Sequence, residues 1–431
     1  MTTFHVKFLG CKVSQADAMQ ARAALLEAGH QEAPEAEADL QVVNTCCITR
    51  EAEAKSRQSV RRSLQVPAAG GSGRGVAGGT RRVVVTGCAA NLNAAQFDEI
   101  APEVTALVGT AEDVAHQVAG TAGPGCIDLG AEAAPGSPLS LGRTRGFVKV
   151  QDGCDCHCSY CIIPKVRGGA RSRPGSAVLR EARRRVEQGQ PEMVMTGISV
   201  GDYRDPERGL ELGDLMRAVA AVDGVERVRL SSMEVIHVRD SLLDALADDE
   251  RICPHLHVPL QSGDDAVLAS MGRNYDSAGY LAAVARLRER VPHVNLTTDV
   301  IVGYPTEDEA AFERTLEVVR EAGITRVHTF SFSARPGTEA DRLGDPVPPG
   351  EKKRRSRALR GLSEALSRRH RATKLGAIED VLVDKVADEQ VSGYSRDYTR
   401  YYLPGGAGRA GETLRAGATD LYSDGLAARI T

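Results

Sequence analysis

Residues 150–161 read Val150-Gln151-Asp152-Gly153-Cys154-Asp155-Cys156-His157-Cys158-Ser159-Tyr160-Cys161. Thiolates are the soft ligands that iron–sulfur clusters require. Spacings of three and then two residues let one tight loop hold three corners of a cubane through Cys154, Cys158 and Cys161. The fourth iron is then open to a substrate. A structural zinc site is the competing reading, with Cys156 or His157 as fourth ligand. The setting of the loop argues against zinc. It directly follows the strand-like run Phe147–Val150, and α/β folds build active sites at the carboxyl ends of their strands.

Downstream, strand-like runs recur at Met193–Thr196, Arg227–Leu230, His255–Leu260, Leu296–Val302 and Val327–Phe332. Helical periodicity separates them, as at Ala177–Gln188, Ala278–Arg290 and Glu309–Ala322. Six strand–helix repeats fall short of the eight that close a barrel. The prediction is a partial, open α/β barrel over 140–370. Beyond it, 371–431 has closely spaced Gly and Tyr and alternating segments such as Val381–Val386, which predicts a small antiparallel β-barrel.

Upstream, Phe4–Leu9, Leu40–Val43 and Arg82–Thr86 read as strands and Gln15–Ala28 and Glu51–Leu64 as helices, so 1–120 is a parallel α/β domain. One cysteine follows each strand: Cys11, Cys46 and Cys88. Three thiols in one topological slot converge on the crevice where open α/β sheets bind ligands. A second cluster with an open iron is expected there. Cys47 adjoins Cys46, so either could ligate, and the Asn-Thr-Cys register favours Cys46. Gly-rich Ala68–Thr80 lacks the Lys-Ser/Thr of a phosphate loop and reads as a surface insertion, and Thr121–Gly142 as a linker. Cys126 and Cys253 fit no ligand pattern.

Composition narrows the class. Ten cysteines in a chain of 431 residues without a signal-peptide start point to metal ligation in a cytosolic protein, not to disulfides. No apolar run reaches membrane-spanning length. The formal charge of −4 gives no global sign of nucleic-acid binding, so a local patch must supply it. Two segments offer one. Lys352–Lys374 is strongly basic, although a solvated helix face explains many such runs. Tyr394, Arg396, Tyr398, Arg400, Tyr401 and Tyr402 interleave aromatic and cationic side chains, suited to stacking on bases and touching phosphate.

The CxxxCxxC loop after the first strand of a partial barrel resembles the radical S-adenosylmethionine superfamily. The flanking residues narrow this. Leu9-Gly-Cys11-Lys-Val-Ser-Gln15, Val43-Asn-Thr-Cys46, Val85-Thr-Gly-Cys88, Cys161-Ile-Ile-Pro164, Arg171-Ser-Arg-Pro174, His255-Leu-His-Val-Pro-Leu-Gln-Ser-Gly263 and Thr298-Asp-Val-Ile-Val-Gly303 resemble the methylthiotransferase family. Gly-Cys-Lys-Val and Arg-Ser-Arg-Pro are most similar to the branch acting on threonylcarbamoyladenosine of tRNA. Departures occur at Ser14 and Ser199, where Asn is expected, at Val235 in place of Pro, and at Lys165-Val166.

The resemblance implies two 4Fe–4S clusters, at Cys154/Cys158/Cys161 and Cys11/Cys46/Cys88, with S-adenosylmethionine at the first. It implies S-adenosylmethionine contacts among Glu234, Gln261, Ser262, Arg273 and Asp299 at the mouth of the barrel. The tail is similar to the RNA-binding TRAM barrel, with Tyr398, Arg400 and Tyr401 as RNA contacts. Implied partners are tRNA and a low-potential electron donor such as a flavodoxin or ferredoxin, and no membrane. Isopentenyladenosine of tRNA or a ribosomal-protein aspartate are alternative targets. A non-catalytic iron–sulfur RNA-binding or redox-sensing protein is the alternative of another class.

Overall fold

The computed structural model describes residues 2–65, 81–119 and 144–431. The Gly-rich insertion, the linker and Cys126 lie outside them. The chain divides into two compact units. The first is Met1–Leu139 with Asp152–Cys156 and Cys161–Arg171; the second is Ser140–Gln151 with His157–Tyr160 and Ser172–Thr431.

The first unit is built on a parallel sheet of β1 (Thr3–Phe8), β2 (Gln31–Glu32), β3 (Leu40–Thr45), β4 (Arg82–Gly87) and β5 (Val104–Ala106), ordered β2-β1-β3-β4-β5. β3 is buried along its whole length, as expected of a central parallel strand covered on both faces. Helices Lys12–Glu27 and Arg50–Gln65 are the crossovers between neighbours. The short β5 escapes the sequence reading because three residues show no periodicity.

The second unit contains six parallel strands: β6 (Arg145–Lys149), β7 (Glu192–Thr196), β8 (Arg227–Leu230), β9 (His255–His257), β10 (Asn295–Val302) and β11 (Arg326–Ser331). They pair in chain order within two runs, β6-β7-β8 and β9-β10-β11, with a single parallel bridge, Val228 to Ile252, at the seam. The partial barrel is thereby borne out. Asp264, Asp276 and Asp308 cap the helices that follow them by accepting backbone N–H bonds at 2.7–2.9 Å.

The tail forms a closed barrel of β12 (Ile378–Val386), β13 (Gln390–Tyr394), β14 (Arg400–Pro404), β15 (Thr413–Tyr422) and β16 (Gly425–Ile430). It is not wholly antiparallel. β14 and β16 pair in parallel, Tyr401 against Leu426, and that pairing helps close the ring. Bulges at Val383/Lys385 and Ala418/Asp420 bend the two long strands enough for closure.

This barrel meets the amino ends of the partial-barrel strands. Asn295, first in β10, donates to the Asp397 carbonyl at 2.7 Å. Arg227 donates to the Tyr394 and Asp380 carbonyls, and Arg229 to the Arg396 carbonyl. Arg229 is 1% exposed, and Glu192 accepts its Nε–H at 2.8 Å. That pairing explains how a guanidinium survives in a core.

Candidate active site

In the first unit Cys11, Cys46 and Cys88 stand just beyond the carboxyl ends of β1, β3 and β4, three adjacent strands. Two glycines shape this edge. A Cβ on Gly10 would sit 3.0 Å from Cys46 Cβ and 3.3 Å from its sulfur. Gly87 has φ +88°, and a Cβ there would lie 2.6 Å from the Thr45 carbonyl oxygen, so only glycine admits this close approach. Ser14, one of the departures, lies with its hydroxyl 3.7 Å from Cys11 Sγ.

Cys46 and Cys47 separate clearly. The Cys47 thiol donates to the Cys88 carbonyl at 3.3 Å within an apolar cluster of Val43, Val60 and Val85. Cys46 is the cysteine against Gly10. Burial pushes the Cys88 thiol up to about 12, against the pull of the Arg167 guanidinium. Ligation needs the thiolate, so binding iron here releases a proton. Among the described residues no group of three His, Cys, Asp or Glu side chains is arranged to hold a metal ion. Thiolates of a cubane each take a different iron and stand further apart than the ligands of one ion. Three cysteines on one strand edge, with glycines wherever a Cβ would intrude, fit a cluster.

A cavity of about 300 Å³ opens at this edge, lined among others by Asp17, Asn44, Cys88, Asp113, Asp152 and Arg167. Arg167 is its main organiser. Nη2 donates to Asp17 at 2.8 Å, Nη1 to Asp152 at 3.0 Å, and Nε to Cys88 Sγ at 3.2 Å. Burial disfavours the charge, but Asp17, Cys88 and Asp152 raise the guanidinium pKa above its ordinary value.

The second cysteine set lies on the loop after β6, and all three thiols are partly exposed. The loop contributes Cys154 and Cys161 to the first unit and Cys158 to the second. The Cys156 N–H points at Cys154 Sγ at 3.4 Å. Arg273 Nη1 donates to Cys158 Sγ at 3.1 Å, while Nη1 and Nη2 grip the two oxygens of Glu234 at 2.9 and 2.8 Å. Burial again opposes the charge, and Tyr160, Tyr275, Glu234 and Cys158 raise the Arg273 pKa. Residues expected as separate contacts are thus one unit. The loop spacing and a cation beside one thiol fit a cluster with a polar approach.

Other expected residues fall into two groups. Gln261 has φ +66°, a left-handed conformation of the kind that concentrates at functional sites. Asp299 stands within β10, 3.1 Å from His257 Nε2, whose Nδ1 is 2.9 Å from Thr297 Oγ1, and its carbonyl accepts the Gln261 N–H at 2.9 Å, which sets the two residues side by side. Ser262, by contrast, is buried, with its hydroxyl turned to the Asp264 N–H and Thr315. It orients the loop. His255 and Cys253 are buried as well.

In the tail the expected RNA contacts divide. Tyr401 is fully buried in the barrel core among Val381, Val391 and Leu426, so it offers no ring face to a base. Tyr398 stacks on Tyr394 with ring centroids 4.7 Å apart, lies over Arg229 and accepts from Arg145. It is packing against the strand ends. The cause is the alternation of side chains in β14, which sends Tyr401 inward and Arg400 and Tyr402 outward. Arg400 lies over the Tyr402 ring at 4.8 Å, beside exposed Tyr422. The basic run divides likewise. In helix Pro349–Ala372, Lys352, Arg355 and Arg371 are buried and paired with Asp345, Glu307 and Glu364.

Known proteins resemble this chain along most of its length. The model of the radical SAM superfamily, which uses a 4Fe–4S cluster and S-adenosylmethionine, matches residues 148–319. One described as uncharacterized protein family UPF0004 matches residues 3–109. The threonylcarbamoyladenosine tRNA methylthiotransferase MtaB of Thermotoga maritima is 32% identical, over 99% of this chain and 96% of its own. The tRNA-2-methylthio-N(6)-dimethylallyladenosine synthase of Syntrophotalea carbinolica is 34% identical over 89% of each. Among solved structures, the radical S-adenosylmethionine methyltransferase TsrM of Kitasatospora setae, with cobalamin and a 4Fe–4S cluster bound, shares the fold. Its TM-score is 0.55 at 13% identity, covering 81% of this chain and 80% of that one. No helix among the described residues is long and apolar enough to cross a membrane. With two cysteine sets at strand ends and alignment over nearly its full length, the chain is an enzyme of the radical S-adenosylmethionine methylthiotransferase family.

Proposed function

We propose that the substrate is N6-threonylcarbamoyladenosine beside the anticodon of tRNA, and that its C2 hydrogen is replaced by a methylthio group. The observation that carries this is the full-length match to relatives named for that reaction, joined to three cysteines at one strand edge. Cys154, Cys158 and Cys161 would hold a cluster that supplies the electron for splitting S-adenosylmethionine, and Cys11, Cys46 and Cys88 would hold one that carries the sulfur to be methylated. The C2–H of adenosine is not acidic, so no general base could remove it as a proton. It must leave as a hydrogen atom.

The chain's own residues bind and orient. Arg273, held by Glu234, presents a cation beside Cys158 for the carboxylate of S-adenosylmethionine. Gln261 and Asp299, neighbours through a backbone hydrogen bond, offer polar groups to its ribose and amino groups. In the tail, Arg400 with Tyr402 provides an outward cation and ring for RNA. The electron comes from a low-potential donor such as a flavodoxin or ferredoxin.

Nucleoside mass spectrometry of tRNA from cells lacking this chain tests the reading. Threonylcarbamoyladenosine should remain and its methylthio derivative vanish. The relatives named for dimethylallyladenosine favour a second reading, in which the methylthio derivative of that nucleoside vanishes instead. If both derivatives persist, tRNA is not the substrate.

A further inference from the structure

Arg167 touches a cysteine 79 positions away in sequence. Its three nitrogens point in three directions, each toward one residue. Asp17 lies in the first helix, Asp152 two residues before Cys154, and Cys88 at the end of β4. The side chain is 7% exposed and the Asp17 side chain 6%. Two carboxylates fix the plane of the guanidinium, so the direction of Nε–H toward sulfur is set by the fold and not by the metal site.

We propose that Arg167 is a positioning residue that raises the reduction potential of the cluster at Cys11, Cys46 and Cys88 through its N–H···S bond to Cys88. This rests on the two-cluster reading above. Hydrogen bonds to ligand sulfur and nearby charge are the means by which a protein tunes such a cluster. A donor on sulfur draws off electron density and stabilises the reduced form more than the oxidised one. The potential rises. Lysine at 167 would keep the positive charge for Asp17 and Asp152 but has no fork to reach three acceptors at once. Charge and hydrogen bond are thereby separable.

The test uses the full chain carrying Cys154→Ala, Cys158→Ala and Cys161→Ala, in which the remaining cluster is the only one to titrate. Arg167→Lys in that background should leave iron content unchanged and move the midpoint potential to more negative values, read by redox titration with EPR. An unmoved midpoint at full iron content overturns the proposal. Should Arg167→Lys fail to assemble, the same background grown with ¹⁵N-arginine decides. A ¹⁵N hyperfine coupling to the reduced cluster supports the bond, and its absence overturns it. If the parent triple variant holds no iron, the two-cluster reading fails, and the role of Arg167 fails with it.

Discussion

Arg273 donates Nη1–H to Cys158 Sγ at 3.1 Å, so a buried, carboxylate-held cation lies against one thiol of the Cys154/Cys158/Cys161 set. Hydrogen bonds to charged partners are worth about 1.5–3 kcal/mol. Arg273→Met should therefore lower 5′-deoxyadenosine formation from S-adenosylmethionine by roughly ten- to a hundredfold, with both clusters retained. Chromatographic quantitation of deoxyadenosine under reducing, anaerobic conditions is the measurement. Unchanged formation would make the pair purely structural.

On the proposed reading the two cysteine sets divide the labour. Two cubanes bring about eight irons and eight sulfides per chain. Replacing Cys154, Cys158 and Cys161 by Ala should remove about half the iron and abolish deoxyadenosine formation. Replacing Cys11, Cys46 and Cys88 should also remove about half, yet leave cleavage intact and deliver no methylthio group. Because the Cys47 thiol faces the Cys88 carbonyl, Cys46→Ala alone should already lose that cluster. Methylthio transfer by the Cys11/Cys46/Cys88 variant would refute the scheme.

Acid sensitivity has an identifiable source in Glu181. Burial raises its pKa, but Arg185 and Arg173, at 2.6 and 2.7 Å, overcome this and hold it at about 2 against 4.5. The folded value is depressed, so its stabilisation is present above the unfolded value and lost as pH falls from about 4.5 toward 2. The shift corresponds to about 3 kcal/mol. Thermal melts should show Glu181→Gln destabilised at pH 7 and converging on the parent as pH drops through that window. A constant gap between the two melts would rule this out.

The tail offers a contrast between neighbours in one strand. Tyr401→Ala empties a core position and should cost about 3–5 kcal/mol of barrel stability. Arg400→Ala should leave the melt nearly unchanged, weaken tRNA binding and reduce the salt slope by about 1. Calorimetry and binding titrations at several salt concentrations separate the two. Equal tRNA affinity for the Arg400 variant would move the RNA face elsewhere.

Sequence by itself determined the repeating α/β organisation and the two cysteine sets. Hydrophobic period and ligand spacing are local properties: β3 reads as a buried strand from Leu40-Gln-Val-Val alone, and Cys154, Cys158 and Cys161 declare themselves within one loop. Tertiary structure decided which charges serve those cysteines. Arg167 and Arg273 were two cations among many until folding brought one to Cys88 and the other to Cys158, 79 and 115 positions away. It also decided the fate of the tyrosines. Tyr398, Tyr401 and Tyr402 are chemically alike, and only strand register and barrel closure send one against Arg229, one into the core and one outward to Arg400. Such assignments depend on contacts distant in the chain, and no short window of sequence contains both partners.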